Sequence, residues 1–382
     1  MRFPGFSGEW NSCELGDIAE LSKGAGISKD QRSSDGDPCI LYGELYTTYL
    51  TEIIDEVVSK TNLEPIGLVK SKANDIIIPA SGETAIDIST ARCVLHDDVL
   101  LGGDLNIIRL NEHDGKFFSY QLNGVRKKDI ARIAHGVSIV HLHGNALAHI
   151  VVNYPSRREQ EKIASLLSLI DQRITIQNKI IEDLKKLKTA LCERLYDESN
   201  PNTRLGEVIE QQSIRNKSAE ELKVLSVSNR YGFVEQSEQF EDRSVASDDT
   251  SNYKIVSLND FAYNPARINV GSIARLKNFE NGIVSPMYIC FRCKGKVLPE
   301  FLEPFFSTEY FSLEMEKRLE GSVRMCLSFE GLCNIPINIP SYEEQIETAK
   351  KVNALNDKLK LEGTYSILLS VQKEYILSQL FI

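Results

Sequence analysis

Apolar residues recur three and four positions apart in a long stretch that follows Pro155 and continues to Tyr196. This stretch contains no proline or glycine. The spacing places the apolar side chains along one face of an α-helix, as in the seam of a coiled coil. About 40 residues at roughly 1.5 Å each form a rod of about 60 Å. We predict a long helix over 156–198. Its seam residues are Ile163, Leu167, Ile170, Ile174, Ile181, Leu184, Leu191 and Leu195.

A second stretch, 341–382, has a similar but poorer apolar pattern. Glu362, Gly363 and Ser366 interrupt the stripe near its middle, and the glycine leaves the continuity of this helix open. Long amphipathic helices need a partner for their apolar faces. We therefore predict that the two helices pack on each other in antiparallel fashion. The seam residues of the second helix are Val352, Leu355, Leu359, Leu369, Ile376 and Leu380.

Both stretches begin with the same capping signal. Ser156 is followed three residues later by Glu159, and Ser341 is followed by Glu344. This spacing is typical of a capping box, in which the serine and glutamate side chains satisfy backbone amides at the start of a helix. We predict a capping box at the start of each long helix.

The two stretches belong to a longer internal repeat with an offset of 185 positions. Residues 152–156 recur as 337–341 at this offset. A period of this length is too large for a solenoid and indicates a duplicated domain together with its connector. Further pairs at the same offset are Asn74 and Asn259, Asp75 and Asp260, Gly136 and Gly321, Leu142 and Leu327, Leu147 and Leu332, Ile150 and Ile335, and Gln160 and Gln345.

The segments 1–155 and 199–340 contain short apolar runs separated by turn residues. Strand-like runs lie at 75–79, 106–110 and 287–291. These segments are predicted to be two mixed α/β domains. They are much less alike than the helices, which indicates two recognition units with different targets. The chain then has the order domain, helix, domain, helix, with an internal pseudo-twofold repeat.

The composition is that of an ordinary globular protein, with 42% hydrophobic and 26% charged residues in a chain of 382. No run approaches the roughly 18 apolar residues that a membrane-spanning helix needs. Residues 1–10 lack the apolar core of a signal peptide. Eight cysteines without tight regular spacing are typical of reduced thiols. We therefore expect a cytoplasmic protein.

The net charge of −10 does not favour a protein that approaches phosphates. A nucleic-acid footprint, however, needs only one locally basic face. The basic residues do cluster, at Arg126, Lys127, Lys128 and Arg132 and again at Lys317, Arg318 and Arg324.

Catalytic motifs are incomplete or missing. Asn264 and Pro265 resemble the start of the motif with which adenine methyltransferases bind the target amine, but the second proline and the following aromatic residue are absent. The segment is better interpreted as a recognition loop. The sequence has neither a phosphate-binding P-loop nor a nucleophile elbow.

Two groups of residues have the spacing of metal ligands. Cys290 and Cys293 form a C-x-x-C pair, but they lie in an alternating strand in which small buried thiols need no metal. His141, His143 and His149 lie close together in the sequence, yet the second copy of the repeat lacks them. We therefore predict no metal site and interpret these histidines as surface or DNA-facing residues.

The start of the chain, Arg2 to Trp10 followed by 15–18, is similar to the start of many type I restriction–modification DNA-specificity subunits. The repeated motifs resemble the same family over essentially the whole chain. In the first copy they are Gly136, Leu142, Leu147, Pro155, Glu159, Gln160, Ile163, Ile170 and Asp171, and in the second copy Gly321, Leu327, Leu332, Pro340, Glu344, Gln345 and Ile346.

The resemblance implies separate functions for the α/β domains, the long helices and the partner subunits. Each α/β domain would be a target-recognition domain that reads one half of a bipartite site in double-stranded DNA. The paired helices would hold the domains apart and dock the modification (methyltransferase) subunits, and restriction (endonuclease/translocase) subunits would join them. S-adenosylmethionine would be bound by the modification subunit, which methylates adenine at N6. The chain itself would have no catalytic residues and no cofactor.

Side chains that reach base edges or phosphates are expected to be basic, amide or aromatic. In the first domain the candidates are Lys23, Lys29, Arg32, Tyr42, Tyr46, Arg92 and Arg132. In the second domain they are Arg230, Tyr231, Arg267, Asn269, Arg275, Lys317 and Arg324.

Two other functions fit parts of the sequence. One is an acidic anti-restriction protein that mimics DNA, but the segment 151–200 has nine basic and eight acidic residues, whereas a mimic should be acidic throughout. The other is a fusion of specificity and methyltransferase functions, against which the missing cofactor motifs argue. A purely structural coiled-coil adaptor would leave two large, divergent domains unexplained.

Overall fold

The computed structural model describes residues 2–196, 200–217, 222–229, 231–236, 250–321 and 324–381. The chain divides into two compact units. Unit 1 comprises Met1–Asn178 and Thr364–Ile382, and unit 2 comprises Lys179–Gly363. Each unit therefore combines one of the predicted α/β domains with a part of each long helix. No helix within these described ranges has both the length and the hydrophobicity needed to cross a membrane.

The first unit contains two five-stranded sheets. Its strands are β1 (Asn11–Glu14), β2 (Ala19–Lys23), β3 (Arg32–Ser33), β4 (Asp37–Ile40), β5 (Ile53–Ile54), β6 (Ser59–Thr61), β7 (Val69–Lys70), β8 (Ile76–Pro79), β9 (Ser81–Gly82), β10 (Arg92–Val94), β11 (Leu100–Leu101), β12 (Leu105–Leu110), β13 (Val140–His141) and β14 (Val151–Tyr154). Its short helices are α1 (Leu15–Ile18), α2 (Glu44–Thr47), α3 (Ala85–Ile88), α4 (Gly115–Asn123), α5 (Lys127–Arg132) and α6 (Gly144–Ala148), with a 3-10 turn at Lys29–Gln31. The strand orders of the two sheets are β2-β12-β8-β10-β5 and β3-β6-β4-β11-β7. All four residues of β8 are buried, because helix α4 packs against the sheet that contains it.

The second unit contains two four-stranded sheets. Its strands are β15 (Thr203–Arg204), β16 (Ile209–Gln212), β17 (Val224–Ser228), β18 (Gly232–Glu235), β19 (Lys254–Ser257), β20 (Phe261–Tyr263), β21 (Ile273–Arg275), β22 (Asn281–Val284), β23 (Ile289–Cys293) and β24 (Pro336–Ile337). Its helices are α8 (Leu205–Val208), α9 (Pro299–Phe305), α10 (Glu309–Glu316) and α11 (Phe329–Cys333), with a 3-10 turn at Ile268–Val270. The strand orders of the two sheets are β16-β23-β20-β21 and β18-β17-β22-β19.

Two long helices follow the α/β domains. Helix α7 extends over Arg157–Leu195, and α12 extends over Tyr342–Leu380. Gly363 lies inside α12, which is continuous there, so the glycine does not break the helix. An added Cβ at Gly363 would meet no atom within 4 Å, so this position faces open space. The mixed α/β fold with long helices is confirmed.

Within unit 1 the two helices are antiparallel. The Asp171 carboxylate on α7 lies 2.7 Å from Lys373 on α12, and Asn178, further along α7, accepts a 2.9 Å hydrogen bond from Ser366. The α7 residue number rises while its partner on α12 falls, which is the register of an antiparallel pair.

The two predicted capping boxes have different outcomes. At the start of α12, Ser341 and Glu344 exchange side-chain to backbone hydrogen bonds at 3.0 and 3.3 Å, which confirms the second box. At the start of α7, Glu159 is fully buried and its carboxylate pairs with Arg2 at 2.9 Å. The prediction of a capping box at Ser156 is therefore wrong, because Glu159 anchors the N-terminal segment instead.

The repeated Asn-Asp pair has a structural cause. Asn74 adopts a left-handed backbone conformation with φ of 81°, which asparagine tolerates better than most residues. The Asp75 carboxylate then accepts the Lys72 amide at 2.8 Å and receives Arg109 as a two-pronged ion pair at 2.8 and 2.6 Å. The pair thus forms a tight turn that starts strand β8.

The second copy builds the same turn before strand β20. Asn259 has a φ of 72°. The Asp260 carboxylate accepts the Ser257 amide at 2.9 Å and pairs with both prongs of Arg292 at 3.1 Å. The sequence repeat therefore corresponds to a repeated structural element in each α/β domain.

A close helix approach explains the repeated glycine near the start of each copy. A Cβ at Gly16 would lie 3.0 Å from the Cβ of Ala148, and one at Gly206 would lie 2.8 Å from the Cβ of Cys333. Cβ atoms almost never approach as closely as the distance at Gly206 and rarely as closely as the one at Gly16, so glycine lets α1 pack on α6 and α8 pack on α11.

Candidate nucleic-acid interface

A cavity of about 620 Å³ opens in unit 1 beyond the end of strand β4. Three of the sequence-predicted DNA contacts, Lys29, Arg32 and Tyr42, line it together with the polar residues Ser28 and Glu44. Lys29 and Arg32 come from the 3-10 turn and the start of β3, whereas Tyr42 follows β4. The fold thus brings together three candidates that the sequence places in two separate segments.

A buried carboxylate organises this cavity. Glu44 is only 6% exposed and accepts hydrogen bonds from the Leu41 amide at 2.9 Å and from the Ser59 hydroxyl. Its Oε1 lies 3.6 Å from Nη1 of Arg32. Glu44 was not predicted from the sequence, since a lone glutamate outside any motif carries no recognisable signal.

Arg92 does not belong to this cavity, and its geometry does not support the predicted contact with DNA. It is 8% exposed, and its guanidinium donates to the Tyr49 carbonyl at 2.8 and 3.1 Å and to the Ala91 carbonyl at 3.1 Å. Burial lowers the pKa of Arg92, although Glu52 and Asp171 oppose that effect. Its role in this structure is to tie β10 to the segment before β5.

The remaining candidates of the first domain lie on other parts of its surface. Lys23 is exposed at the end of β2. Tyr46 is half-buried on α2, and burial raises its pKa. Arg132 is exposed at the end of α5 and pairs with Asp129 at 3.0 Å. These residues do not line the cavity near Tyr42.

A second cavity, of about 400 Å³, lies in unit 2 beyond the end of strand β17. Tyr231 and Arg275, both predicted from the sequence, line it together with Asn229, Lys277 and Asn278. The last three residues were not predicted from the sequence, because amides and lysines outside a motif are common on any surface. Arg230 lies outside the described residues.

Arg275 has a structural role that the sequence did not indicate. It is 7% exposed, its guanidinium pairs with Glu300 and with Glu303, the latter at 3.0 Å, and it donates to the Asn259 side chain at 2.8 Å. Because its side chain is nearly buried and is paired with two glutamates, Arg275 forms a wall of the cavity, and this burial does not support the predicted reading of bases.

The other candidates of the second domain are exposed. Arg267 and Asn269 lie at the 3-10 turn, and Arg324 lies in the segment before α11. Lys317 follows α10 and pairs with Glu314. Their exposure is compatible with DNA contact, which stays a prediction for these four residues.

The incomplete methyltransferase motif is part of a turn. The Asn264 side chain accepts a hydrogen bond from the Ala266 amide at 3.1 Å, and the residue is almost fully buried. The side-chain oxygen of Asn264 therefore accepts a hydrogen bond within its own loop. The segment then continues into the turn that carries Arg267.

The candidate metal ligands are dispersed. Cys290 and Cys293 lie three positions apart on β23, so their side chains point to opposite faces of the sheet. Burial raises the pKa of each thiol to about 12. His141 and His143 are exposed, and the described residues contain no cluster of three or more metal-ligating side chains.

The predicted seam residues of both long helices are buried or half-buried within their units. The fully buried members are Ile163, Leu167, Ile170, Val352, Leu369 and Leu380, and the half-buried members are Ile174, Ile181, Leu184, Leu191, Leu195, Leu355, Leu359 and Ile376. Other apolar residues of the same helices face solvent, so the seam is confined to one stripe.

A buried charge cluster in unit 1 joins the α/β domain to both helices. Lys373 of α12 lies 2.7 Å from Glu52 of the domain and 2.7 Å from Asp171 of α7. Tyr120 donates a 2.6 Å hydrogen bond to Asp171, and its ring lies 5.6 Å from the Lys373 ammonium. Burial raises the pKa of Glu52. Burial opposes protonation of Lys373, but the two carboxylates outweigh it and raise its pKa.

A family model for the type I restriction modification DNA specificity domain matches residues 7–186. Residues 7–186 of this chain are thus similar to a type I restriction–modification specificity domain. The matched segment includes the first α/β domain, with its cavity, and most of α7. The predicted resemblance to type I specificity subunits is therefore confirmed.

A relative and two solved structures extend this likeness beyond the specificity domain. The chain is 23% identical over 385 residues to the type I restriction enzyme MjaVIII specificity subunit of Methanocaldococcus jannaschii, with 93% of this chain and 88% of the relative covered. The S subunit of a type I system from M. genitalium aligns with a TM-score of 0.61 at 17% identity, over 98% of this chain and 96% of that one.

A chain from a structure on complex assembly and conformational transition of the type I R-M system aligns with a TM-score of 0.57 at 13% identity. The alignment covers 97% of both chains. At these identities the two structural matches establish the shared fold, which extends through both units.

Proposed function

We propose that the chain is the DNA-binding specificity subunit of a type I restriction–modification complex. It reads a bipartite site in double-stranded DNA, with one half-site for each α/β domain. The observation that carries this proposal is the repeated turn, strand and cavity arrangement of the two units, on a chain whose first half matches the specificity domain. The divergent cavity linings give each domain its own target.

The proposal assigns no catalytic step to the chain. Its partners are double-stranded DNA, the modification subunits and the restriction subunits, in the cytoplasm where the host genome lies. The modification subunits supply S-adenosylmethionine and methylate adenine at N6. The buried carboxylate of Glu44, at the first cavity, has a structural role, because it accepts the hydrogen bond of the Leu41 amide at 2.9 Å.

The long helices offer a docking surface for the modification subunits. Outside the seam, within unit 1, Ile176 of α7 and Leu368 and Tyr375 of α12 expose half or more of their surface. An exposed apolar surface on a protein marks a site of association. We infer that these residues bind the modification subunits.

Exchanging one whole unit should change one half of the methylated motif and leave the other half intact. Because Trp10 packs against Phe381 at 6.2 Å and Lys373 pairs with Glu52, the exchange must move residues 1–178 together with 364–382. The donor is another type I specificity subunit, and the measurement is the N6-methyladenine motif in a host that expresses the cognate modification subunit.

The matched control exchanges residues 179–363 and should alter the other half of the motif. A motif in which both halves change after either exchange would contradict the assignment of one half-site to each domain.

A further inference from the structure

We propose that the cavity of unit 1 reads a guanine of the first half-site through Arg32, and that Glu44 positions this arginine. The inference rests on the proposed function and names the base and the residues of one reading site. It follows from the hydrogen bonding of Arg32, from the burial of Glu44, and from the position of the cavity in the repeat.

Glu44 has the geometry of a positioning residue. Its carboxylate is buried, and it accepts the Leu41 amide at 2.9 Å and the Ser59 hydroxyl. These bonds fix the segment after β4, which carries Tyr42 on the cavity wall. The same carboxylate lies 3.6 Å from the Arg32 guanidinium, so one group orients both the loop and the arginine.

Arg32 retains donors for a ligand. Its Nε donates to the Lys29 carbonyl at 3.3 Å and its Nη1 faces Glu44. Within the described part of the chain, Nη2 of Arg32 makes no hydrogen bond or ion pair, and 40% of the side chain is exposed at the cavity. A guanidinium held at both Nε and Nη1 presents its remaining N–H donors in a fixed direction.

The charges around Arg32 favour a base over a phosphate. Glu44 and Asp104 both line the cavity, and a phosphate bound there would be repelled by these carboxylates. The edge of guanine in the major groove carries two neutral acceptors, O6 and N7, which match the arginine fork. Tyr42 adds an aromatic wall beside them.

The second unit supports this location independently. Strand β4 pairs in parallel with β11, and strand β17 pairs in parallel with β22. The cavity of unit 1 begins directly after β4, at Leu41 and Tyr42, and the cavity of unit 2 begins at the end of β17, at Ser228 and Asn229. The repeat therefore places a polar concavity at the same strand end in both domains.

The test compares methylated motifs of the full chain and its variants, each expressed with the cognate modification subunit in a host without adenine methylation. Arg32→Ala should relax one G·C position of the first half-site by about 5- to 150-fold in discrimination, the range of a lost bidentate contact. Glu44→Gln should relax the same position less. The second half-site should stay unchanged, which also shows that the variant folds.

Lys70→Ala is the matched control, because Lys70 lies in the same sheet as Arg32 but pairs with the exposed Asp98 at 3.2 Å outside the cavity. It should leave the motif intact. An Arg32→Ala variant with an unchanged motif, or with methylation weakened equally at all positions, would overturn the proposal. A wild-type chain that gives no split motif would instead overturn the proposed function itself.

Discussion

Replacing Lys373 by methionine should destabilise unit 1 by about 3–5 kcal/mol at neutral pH, the usual cost of removing one partner from a buried ion pair. Lys373 neutralises Glu52 and Asp171, each at 2.7 Å and each nearly buried. Methionine has a similar length and leaves both carboxylates without their cation. The two acids then repel each other in a poorly solvated site.

Urea unfolding followed by tryptophan fluorescence measures this effect directly. Trp10 is the only tryptophan of the chain, and it packs against Phe117 at 5.7 Å and Phe381 at 6.2 Å within unit 1. Its emission therefore reports the unfolding of that unit. Lys351→Met is the control, because Lys351 pairs with Glu347 on the exposed side of the same helix, and it should leave the midpoint unchanged. Equal midpoints for both variants would refute a stabilising role for the cluster.

The stability that unit 1 loses in Lys373→Met should depend on pH in a defined direction. Burial raises the pKa of Glu52 and Lys373 partly offsets that rise, so the pKa of Glu52 should rise further in Lys373→Met. A carboxyl with a raised pKa binds more protons in the folded than in the unfolded state, so stability increases as the pH falls through its folded pKa. The deficit of Lys373→Met should therefore shrink between pH 7 and pH 5. The pKa of Lys373 is also raised, so the stabilisation that its ammonium gives the wild-type cluster is in addition lost as the pH rises through that pKa, in alkaline solution.

Lengthening both long helices by one heptad should widen the gap between the half-sites while both half-sites persist. The insertions belong at the boundary of the units, between Asn178 and Lys179 in α7 and between Gly363 and Thr364 in α12. Seven helical residues add about 10 Å. At about 3.4 Å for each base pair along one strand, the spacer should grow by about three base pairs. The methylated motif of the variant measures this change.

A heptad inserted into α7 alone is the informative control for the spacer experiment. It shifts the seam of one helix against the other and should reduce methylation rather than change the spacing. If the double insertion altered the half-sites and left the spacer length unchanged, this result would contradict the proposal that the helices set the distance between the half-sites.

Periodic and duplicated features were predictable from the sequence. The spacing of apolar residues predicted α7 to within a few residues. In α12 the apolar stripe is long enough that the helix stays continuous through Gly363. The offset of 185 identified Asn74 and Asn259, which both adopt left-handed conformations. Such positions repeat because backbone geometry restricts which residue fits.

The roles of individual charged residues were less predictable, because the sequence does not show which groups a basic side chain contacts in the folded protein. Arg92 and Arg275 were placed among the DNA contacts, yet the first donates to backbone carbonyls and the second pairs with two glutamates. The predicted box at Glu159 failed for the same reason, since Arg2 is its partner across a large sequence separation. Long-range ion pairs leave no local pattern.

The most direct test of the account is the methylome that this chain directs. The chain is expressed with its cognate modification subunit in a host free of adenine methylation, and N6-methyladenine is mapped by single-molecule sequencing. The account predicts a split motif that disappears when this chain is omitted. Methylation that persists at the same sites without the chain would contradict its role as the specificity subunit.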